Sequence, residues 1–338
     1  MPENKMIQVL LVGCGAISRP WLEYTLSRGD CRIAGIVEMN RERGEAARRK
    51  YAFDCPLFAD LDLALNQVKP DLVYDLTYVT AHSQVVIKAL QAGCHVFGEK
   101  PMTLTREEAL QMIQTAAETG KAYSVMQNRR YQKPVQAIRE FIASGKLGQI
   151  WMVAADIFVP ADLDSIRNQL AKPMLQDNAI HTFDQARFLT GEDPVTAYCH
   201  SYNPVDSKYH GDAAGACIFE LSAGAVFVYN CVMGTDGCNT SWESNWRIIG
   251  SRGSIIWDGF GAPYAEIRLD PQKRECERVE LKTAWNGLPQ HQGCLEEMYR
   301  ALLSGRRSDT DCRDNYKSIS MVFASVESAL SQKKVQVL

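Results

Sequence analysis

The sequence predicts an α/β chain in two parts: a doubly wound parallel sheet in residues 1–125, then in residues 126–338 an α+β domain with a large, mostly antiparallel sheet open on one face. Three observations predict it. The chain has 338 residues, and single hydrophobic cores stop growing near about 250–300 residues, so two cores are expected. The first part alternates apolar strand-like runs with amphipathic helical stretches, the rhythm of βαβ units. Beyond Thr190 that rhythm gives way to successive strands joined by turns, which favours antiparallel pairing with one face left uncovered.

In the first part, strands are expected at Ile7–Val12, Arg32–Glu38, Leu72–Asp75, His95–Glu99 and Ala122–Val125. Helices are expected after Gly15, near Arg41, near Asp60, near Ala81 and at Thr105, where Thr105-x-x-Glu108 has the form of a capping box. A helix from Lys133 carries Pro134 in its first turn and ends at Ser144-Gly145. A strand at Trp151–Phe158 and a helix at Asn178–Thr190 follow. Then come strands at Val195–Tyr202, Ala213–Glu220, Ala225–Val232, Trp246–Ile249, Ser254–Trp257 and Glu266–Leu269. Helices at Gln292–Ser304 and Asp314–Ser331 close the chain.

Composition narrows the partners. Apolar residues make up 46% and charged residues 23%, an ordinary globular balance. Lys+Arg 37 against Asp+Glu 40 leaves a net charge of −3, so there is no cationic excess to neutralise a nucleic acid or an anionic membrane, and neither is an expected partner. The most apolar stretch, Ala213–Gly234, is broken by Glu220, Ser222 and Asn230. It reads as a hairpin turning at Ser222-Ala223-Gly224 rather than a membrane span. The N-terminus runs into its first strand without the apolar region of a signal peptide, so a cytoplasmic location is expected. The 11 cysteines are odd in number and include no C-x-x-C, which favours reduced thiols packed in apolar segments. Cys199, His200, His210 and Cys217 are of zinc-binding type. Their spacing lacks the paired short-range pattern, and adjacent strand residues point to opposite faces, so no metal is expected.

Directly after the first strand stands Gly13-Cys14-Gly15-Ala16-Ile17-Ser18, a G-x-G-x-x-S where a dinucleotide-binding Rossmann domain places G-x-G-x-x-G/A. Such a turn needs glycine, lets a pyrophosphate approach bare backbone, and aims helix N–H groups at that anion. Glu38 ends the second strand 23 residues after Gly15. There it either accepts hydrogen bonds from the adenosine ribose or is a solvated strand-end carboxylate. A carboxylate there repels a 2′-phosphate and favours NAD over NADP, while Arg41 and Arg43 act in the opposite direction.

Three further segments carry a family resemblance. They are Thr77-Tyr78-Val79-Thr80-Ala81-His82, Ala92-Gly93-Cys94-His95-Val96-Phe97-Gly98-Glu99-Lys100-Pro101, and Asp177-Asn178-Ala179-Ile180-His181-Thr182-Phe183-Asp184. With Glu-Lys-Pro and the distal Asp-x-x-x-His as its most specific marks, the chain resembles the Gfo/Idh/MocA oxidoreductases over nearly its whole length. The resemblance implies that Gly13, Gly15, Ala16 and Ile17 hold the pyrophosphate and Glu38 the adenosine ribose. Thr77, Tyr78 and His82 would line the dinucleotide cleft, Glu99 would reach the nicotinamide ribose, and Lys100 would face the reacting carbon. Asp177 and His181 match the pair implicated in substrate binding and proton transfer, in a cleft between the domains. Ala179 and Ala171-Lys172-Pro173 depart from the glycines common in the family, which bears on pocket shape.

Helix geometry places Asp177, His181 and Asp184 on one stripe, at roughly 0°, 40° and −20° at about 100° per residue. Ala179, Phe183, Ala186 and Leu189 fall on the opposite, core-facing side. A solvated charged stripe is the other reading of this pattern. Asn128, Arg129, Arg130 and Tyr131 follow the last parallel strand, either entering the cleft as substrate contacts or forming a surface linker. Arg129 and Arg130 would suit an anionic substrate group; Trp285 and His291 are further pocket candidates.

The expected reaction is NAD-dependent hydride transfer from a secondary alcohol of a sugar, sugar derivative or cyclitol. His181 would take the hydroxyl proton, because imidazole is matched to neutral pH. Lys100 would stabilise the alkoxide or itself act as base, and Asp177 would orient substrate or imidazole. Two other readings use the same residues: a non-catalytic sugar sensor, and an enzyme that oxidises transiently to assist elimination or glycosidic cleavage. A homodimer or homotetramer through the open sheet face is expected.

Overall fold

The computed structural model describes residues 6–161, 166–270, 272–273 and 275–338. Six short strands build the first sheet: β1 (Ile7–Val12), β2 (Cys31–Val37), β3 (Leu57–Phe58), β4 (Leu72–Asp75), β5 (His95–Gly98) and β6 (Tyr123–Val125). Every pair is parallel, in the order β3-β2-β1-β4-β5-β6. The connecting helices are α1 (Ser18–Ser27), α2 (Arg41–Tyr51), α3 (Leu61–Val68), α4 (Val79–Gln91) and α5 (Arg106–Thr119). The strands are near-continuous apolar runs because parallel strands are covered on both faces; all four residues of β4 are buried. Strand order reverses between β1 and β4, the point where such sheets open a ligand crevice beyond the strands' carboxyl ends.

Capping chemistry sets the helix starts. The side chains of Asn40, Asp60 and Thr105 accept the N–H groups of Arg43, Leu63 and Glu108. Half of the expected capping box forms: Thr105 caps Glu108, while the Glu108 carboxylate accepts from the hydroxyls of Thr103, Thr105 and Ser83.

The second sheet follows α6 (Lys133–Ala143). It contains β7 (Ile150–Val159), and after α7 (Ala179–Thr190) come β8 (Pro194–Tyr202), β9 (Ala214–Leu221), β10 (Val226–Met233), β11 (Asn245–Gly250), β12 (Gly253–Trp257), β13 (Tyr264–Arg268) and β14 (Cys276–Glu280). With β15 (Val335–Gln336) it has nine strands, ordered β14-β13-β12-β11-β7-β10-β9-β8-β15. Pairing is antiparallel except between β7 and β10, which run parallel because the chain passes through α7, β8 and β9 before returning beside β7. One face packs Phe219, Phe227 and Tyr229 around Phe183 of α7, with ring centroids 4.9–6.0 Å apart. The other carries the cross-strand row Tyr198, Ile218, Val228, Ala154, Arg247 and Ile256. Cys199 is buried on the first face and its neighbour His200 is exposed on the second, so the two do not converge.

The chain then returns to its first unit through α8 (Gln290–Ser304), before α9 (Cys312–Ser331). The compact units are therefore not contiguous: 1–128 with 288–316, and 129–287 with 317–338. The single division expected at residue 125 misses this return. Long-range bonds make it: Val125 N–H donates to the Thr310 carbonyl at 3.0 Å, Ser124 and Ser308 hydroxyls meet at 2.7 Å, and Tyr299 joins Tyr74 of β4 at 2.5 Å.

Candidate active site

In the first unit, β1 ends at the switch point. Gly13 adopts φ +93°, and a Cβ there would stand 2.6 Å from the Leu76 carbonyl oxygen. No L side chain fits this close approach of two strand ends. Around Gly15 there is open space instead, with no atom within 4 Å of a built Cβ. That bare backbone faces outward at the start of α1, the arrangement an anion requires. Ala16 and Ile17 are exposed beside it.

Glu38 is 8% exposed, not a solvated strand end. One carboxylate oxygen accepts the Cys14 N–H at 2.9 Å and the other the Asn40 N–H at 2.9 Å, with Arg43 at 3.7 Å. Glu38 thus fastens the glycine turn to the end of β2. Burial, with Glu38 next in weight, pushes the Cys14 thiol up to about 12; it stays protonated and is a poor target for oxidation.

The end of β4 carries a second polar chain. Asp75 is fully buried; one oxygen accepts both the N–H and the hydroxyl of Thr77, at 3.2 and 2.6 Å, and the other has no hydrogen-bond partner. Burial raises its carboxyl above the usual range, while His82 and the Thr77 bonds oppose that shift. Tyr78 is exposed. His82 departs from its expected role as a cleft-lining group: it is 1% exposed, and both ring nitrogens face carbonyl oxygens, Pro101 at 3.0 Å and Thr77 at 3.1 Å. Its polar atoms are engaged by the protein itself.

At the end of β5, Glu99 is buried. One oxygen accepts the Trp21 indole N–H at 2.7 Å and the other the Lys100 N–H at 3.1 Å. The Lys100–Pro101 peptide is cis. His291, at the start of α8, lies within electrostatic reach of Glu99 and Lys100; burial lowers its proton affinity, Glu99 opposes that, and Lys100 adds to it. Asn128 is buried and donates to Gln290 at 3.0 Å.

In the second unit, Asp177 lies in a π-helical turn, Met174–Asn178, that runs into α7. The Ala179 N–H bonds to Met174, five residues back. Asp177 accepts from the Arg167 guanidinium at 2.6 Å, and His181 follows on the first turn of α7, 8% exposed. The expected two-faced helix is not what forms. Ten of the twelve residues of α7 are buried, and the inserted π turn breaks the straight 3.6-residue count. Asp184 does not share an open stripe with Asp177. It is 1% exposed, held by Arg130 through two bonds of 2.6 Å and by the Ser318 hydroxyl at 2.8 Å.

The segment after β6 is correspondingly no surface linker: Asn128, Arg129, Arg130 and Tyr131 are all buried. Arg130 is committed to Asp184, and Arg129 faces Glu243 at 3.6 Å with its proton affinity lowered by burial. Sequence reasoning missed Trp21, Asp75, Glu243 and Arg167. Each gains its role from a distant partner, and only Trp21, an aromatic in the first helix after the glycine turn, stands out in the sequence.

A 3-2-1-4-5-6 parallel sheet, a glycine turn at its switch point and an acidic residue directly after β2 define a dinucleotide-binding domain. The family model for the oxidoreductase family, NAD-binding Rossmann fold, matches residues 7–127, and that for the GFO/IDH/MocA C-terminal domain matches residues 135–256. The chain belongs to the Gfo/Idh/MocA family, and it is an NAD-binding oxidoreductase. It is similar to D-apiose dehydrogenase of Paraburkholderia graminis, 25% identical over 98% of this chain and 90% of the relative. It is also similar to inositol 2-dehydrogenase of Rhizobium meliloti, 25% identical over 97% of this chain and 98% of the relative. In fold it resembles an oxidoreductase of Agrobacterium radiobacter solved in complex with NAD+, L-tartaric acid and magnesium, with a TM-score of 0.85 at 22% identity over 98% and 99% of the two chains. Among the described residues no helix is long and apolar enough to cross a membrane.

Proposed function

We propose that the protein oxidises a secondary alcohol of a neutral polyhydroxylated substrate, a sugar, sugar derivative or cyclitol, with Lys100, Asp177 and His181 handling the proton. The observation that carries this reading is the fixing of Lys100. Its N–H is bound by Glu99, which Trp21 holds in turn, at the carboxyl end of a strand beside the switch point. The residues present fit NAD: Gly13 lets the turn close against Leu76, Gly15 leaves bare backbone open to a pyrophosphate, and Glu38 is a fixed acceptor for ribose hydroxyls. NAD, when bound, accepts the hydride that leaves the substrate carbon. Glu38 favours it over NADP because a buried carboxylate repels a 2′-phosphate, an effect that Arg43 only partly offsets.

His181 accepts the hydroxyl proton, and the Lys100 ammonium stabilises the developing alkoxide. Asp177, held by Arg167, orients the substrate. The substrate is neutral because Arg130 and Arg129, the cations nearest in sequence to the parallel sheet's end, already face Asp184 and Glu243. The names of the relatives, an apiose and an inositol dehydrogenase, favour the same class. The test is NADH formation beside product analysis across sugars, cyclitols and their acids. Net NADH with a ketone product supports the reading. Product without net NADH points to transient oxidation, binding without turnover points to a sensor, and turnover of acids alone contradicts the substrate class.

A further inference from the structure

We propose that His82 is a positioning residue: its ring ties the loop after β4 to the Lys100–Pro101 segment and so sets where the lysine stands. The inference rests on the reading of Lys100 as a catalytic group. Four observations carry it. The ring is buried, at 1% exposed, so it does not serve solvent. Its nitrogens lie 3.0 Å from the Pro101 carbonyl oxygen and 3.1 Å from that of Thr77. The Thr77 end is anchored, because the N–H and hydroxyl of Thr77 are bound by buried Asp75. The lysine end is anchored as well: Glu99 holds the Lys100 N–H, and His82 holds the carbonyl of the next residue. Asp75, Thr77, His82, Pro101, Lys100, Glu99 and Trp21 thus form one polar chain behind the ends of β4 and β5. Lys100 is gripped from both sides along its main chain.

The chemistry of the ring adds a testable condition. A carbonyl oxygen only accepts, and a neutral imidazole has a single N–H. Both bridges are hydrogen bonds only when the ring carries its second proton; on losing it, one loop is released. The titratable groups that interact with the ring are the Asp75 carboxyl on β4 and the Glu108 carboxylate on α5.

The experiment compares wild type, His82→Gln, His82→Leu and Lys100→Met by kcat across pH, by NADH affinity from fluorescence, and by nitrogen NMR of the histidine rings. A misplacement of about 1 Å costs on the order of a hundredfold in rate. His82→Leu is therefore expected to lose about a hundredfold in kcat, and His82→Gln, which keeps one donor, about tenfold. NADH affinity should change little. Wild-type kcat in a folded, NADH-binding His82→Leu overturns the inference. So does a wild-type ring with one nitrogen unprotonated at the pH of maximal kcat, a readout that needs no variant to fold. If Lys100→Met retains turnover, the catalytic reading of Lys100 fails first and the positioning claim falls with it. Loss in Lys100→Met with none in His82→Gln or His82→Leu overturns the positioning claim alone.

Discussion

Glu99 and Glu38 show how a buried carboxylate fixes the loop that follows a parallel strand. Glu99 spends one oxygen on Trp21 and the other on the Lys100 N–H; Glu38 spends its two on Cys14 and Asn40. Removing either carboxylate leaves buried donors unpaired, at about 1–3 kcal/mol for each group. Glu38→Ala is accordingly expected to weaken NADH binding at least about tenfold and to erode the preference for NAD over NADP, measured by titration with both cofactors. Lys100→Met and His181→Ala are each expected to cut turnover by about a hundredfold or more while leaving NADH affinity nearly intact, since general acid–base groups contribute on that scale. Glu38 stands out in the sequence by its spacing after the glycine turn, and Glu99, Lys100, Asp177 and His181 stand out through the family resemblance. Arg167 and Asp75 do not, because each acts through a contact that no local pattern encodes. His82 was visible as a polar residue near the cleft, but the use of both its nitrogens by carbonyls depends on a loop 19 residues away.

At the scale of elements, the apolar runs of the parallel sheet marked β1 and β4 to the residue, since strands covered on both faces leave a continuous signature. The two-residue strands β3 and β15 and the charged edge strand β14 carry no such signature and were not expected. The helix α7 was found, but its two-faced pattern was illusory: it is buried nearly all round, with Asp184 paid for by Arg130 and Ser318. Breaking a buried ion pair from one side leaves an uncompensated charge. Arg130→Met is therefore expected to cost about 3–5 kcal/mol by denaturant unfolding, and a loss below about 1 kcal/mol would show that Arg130 does not compensate a buried charge there. On β5, burial pushes the His95 imidazole down to about 4, with Lys121 adding to the shift, and its Nδ1 accepts the Ala122 N–H. The unfolded ring titrates near about 6.5, so between these values the unfolded chain binds more protons. Stability from this group is complete above about 6.5 and is lost as pH falls toward about 4. His95→Gln should flatten that part of the stability profile, measured by thermal melting across pH.

For the whole molecule, length announced two cores but not that the chain would return to the first. That return is made by α8 and residues 305–311, whose bonds to β4 and β6 lie far beyond any local pattern. The open face of the second sheet, with Tyr198, Ile218 and Val228 in one row, is proposed as the surface through which copies of the chain associate. Val228→Lys is expected to lower the mass measured by light scattering without altering NADH affinity; an unchanged mass would assign association to another surface. The central claim is that this chain carries out net NAD-dependent oxidation of a neutral polyol with Lys100 and His181 as its proton-handling groups. The most direct measurement is NADH absorbance with a panel of sugars and cyclitols, run in parallel on wild type, Lys100→Met and His181→Ala. The account predicts stoichiometric NADH and ketone from wild type and near-loss of both in each variant. NADH formed at wild-type rates by both variants would contradict it.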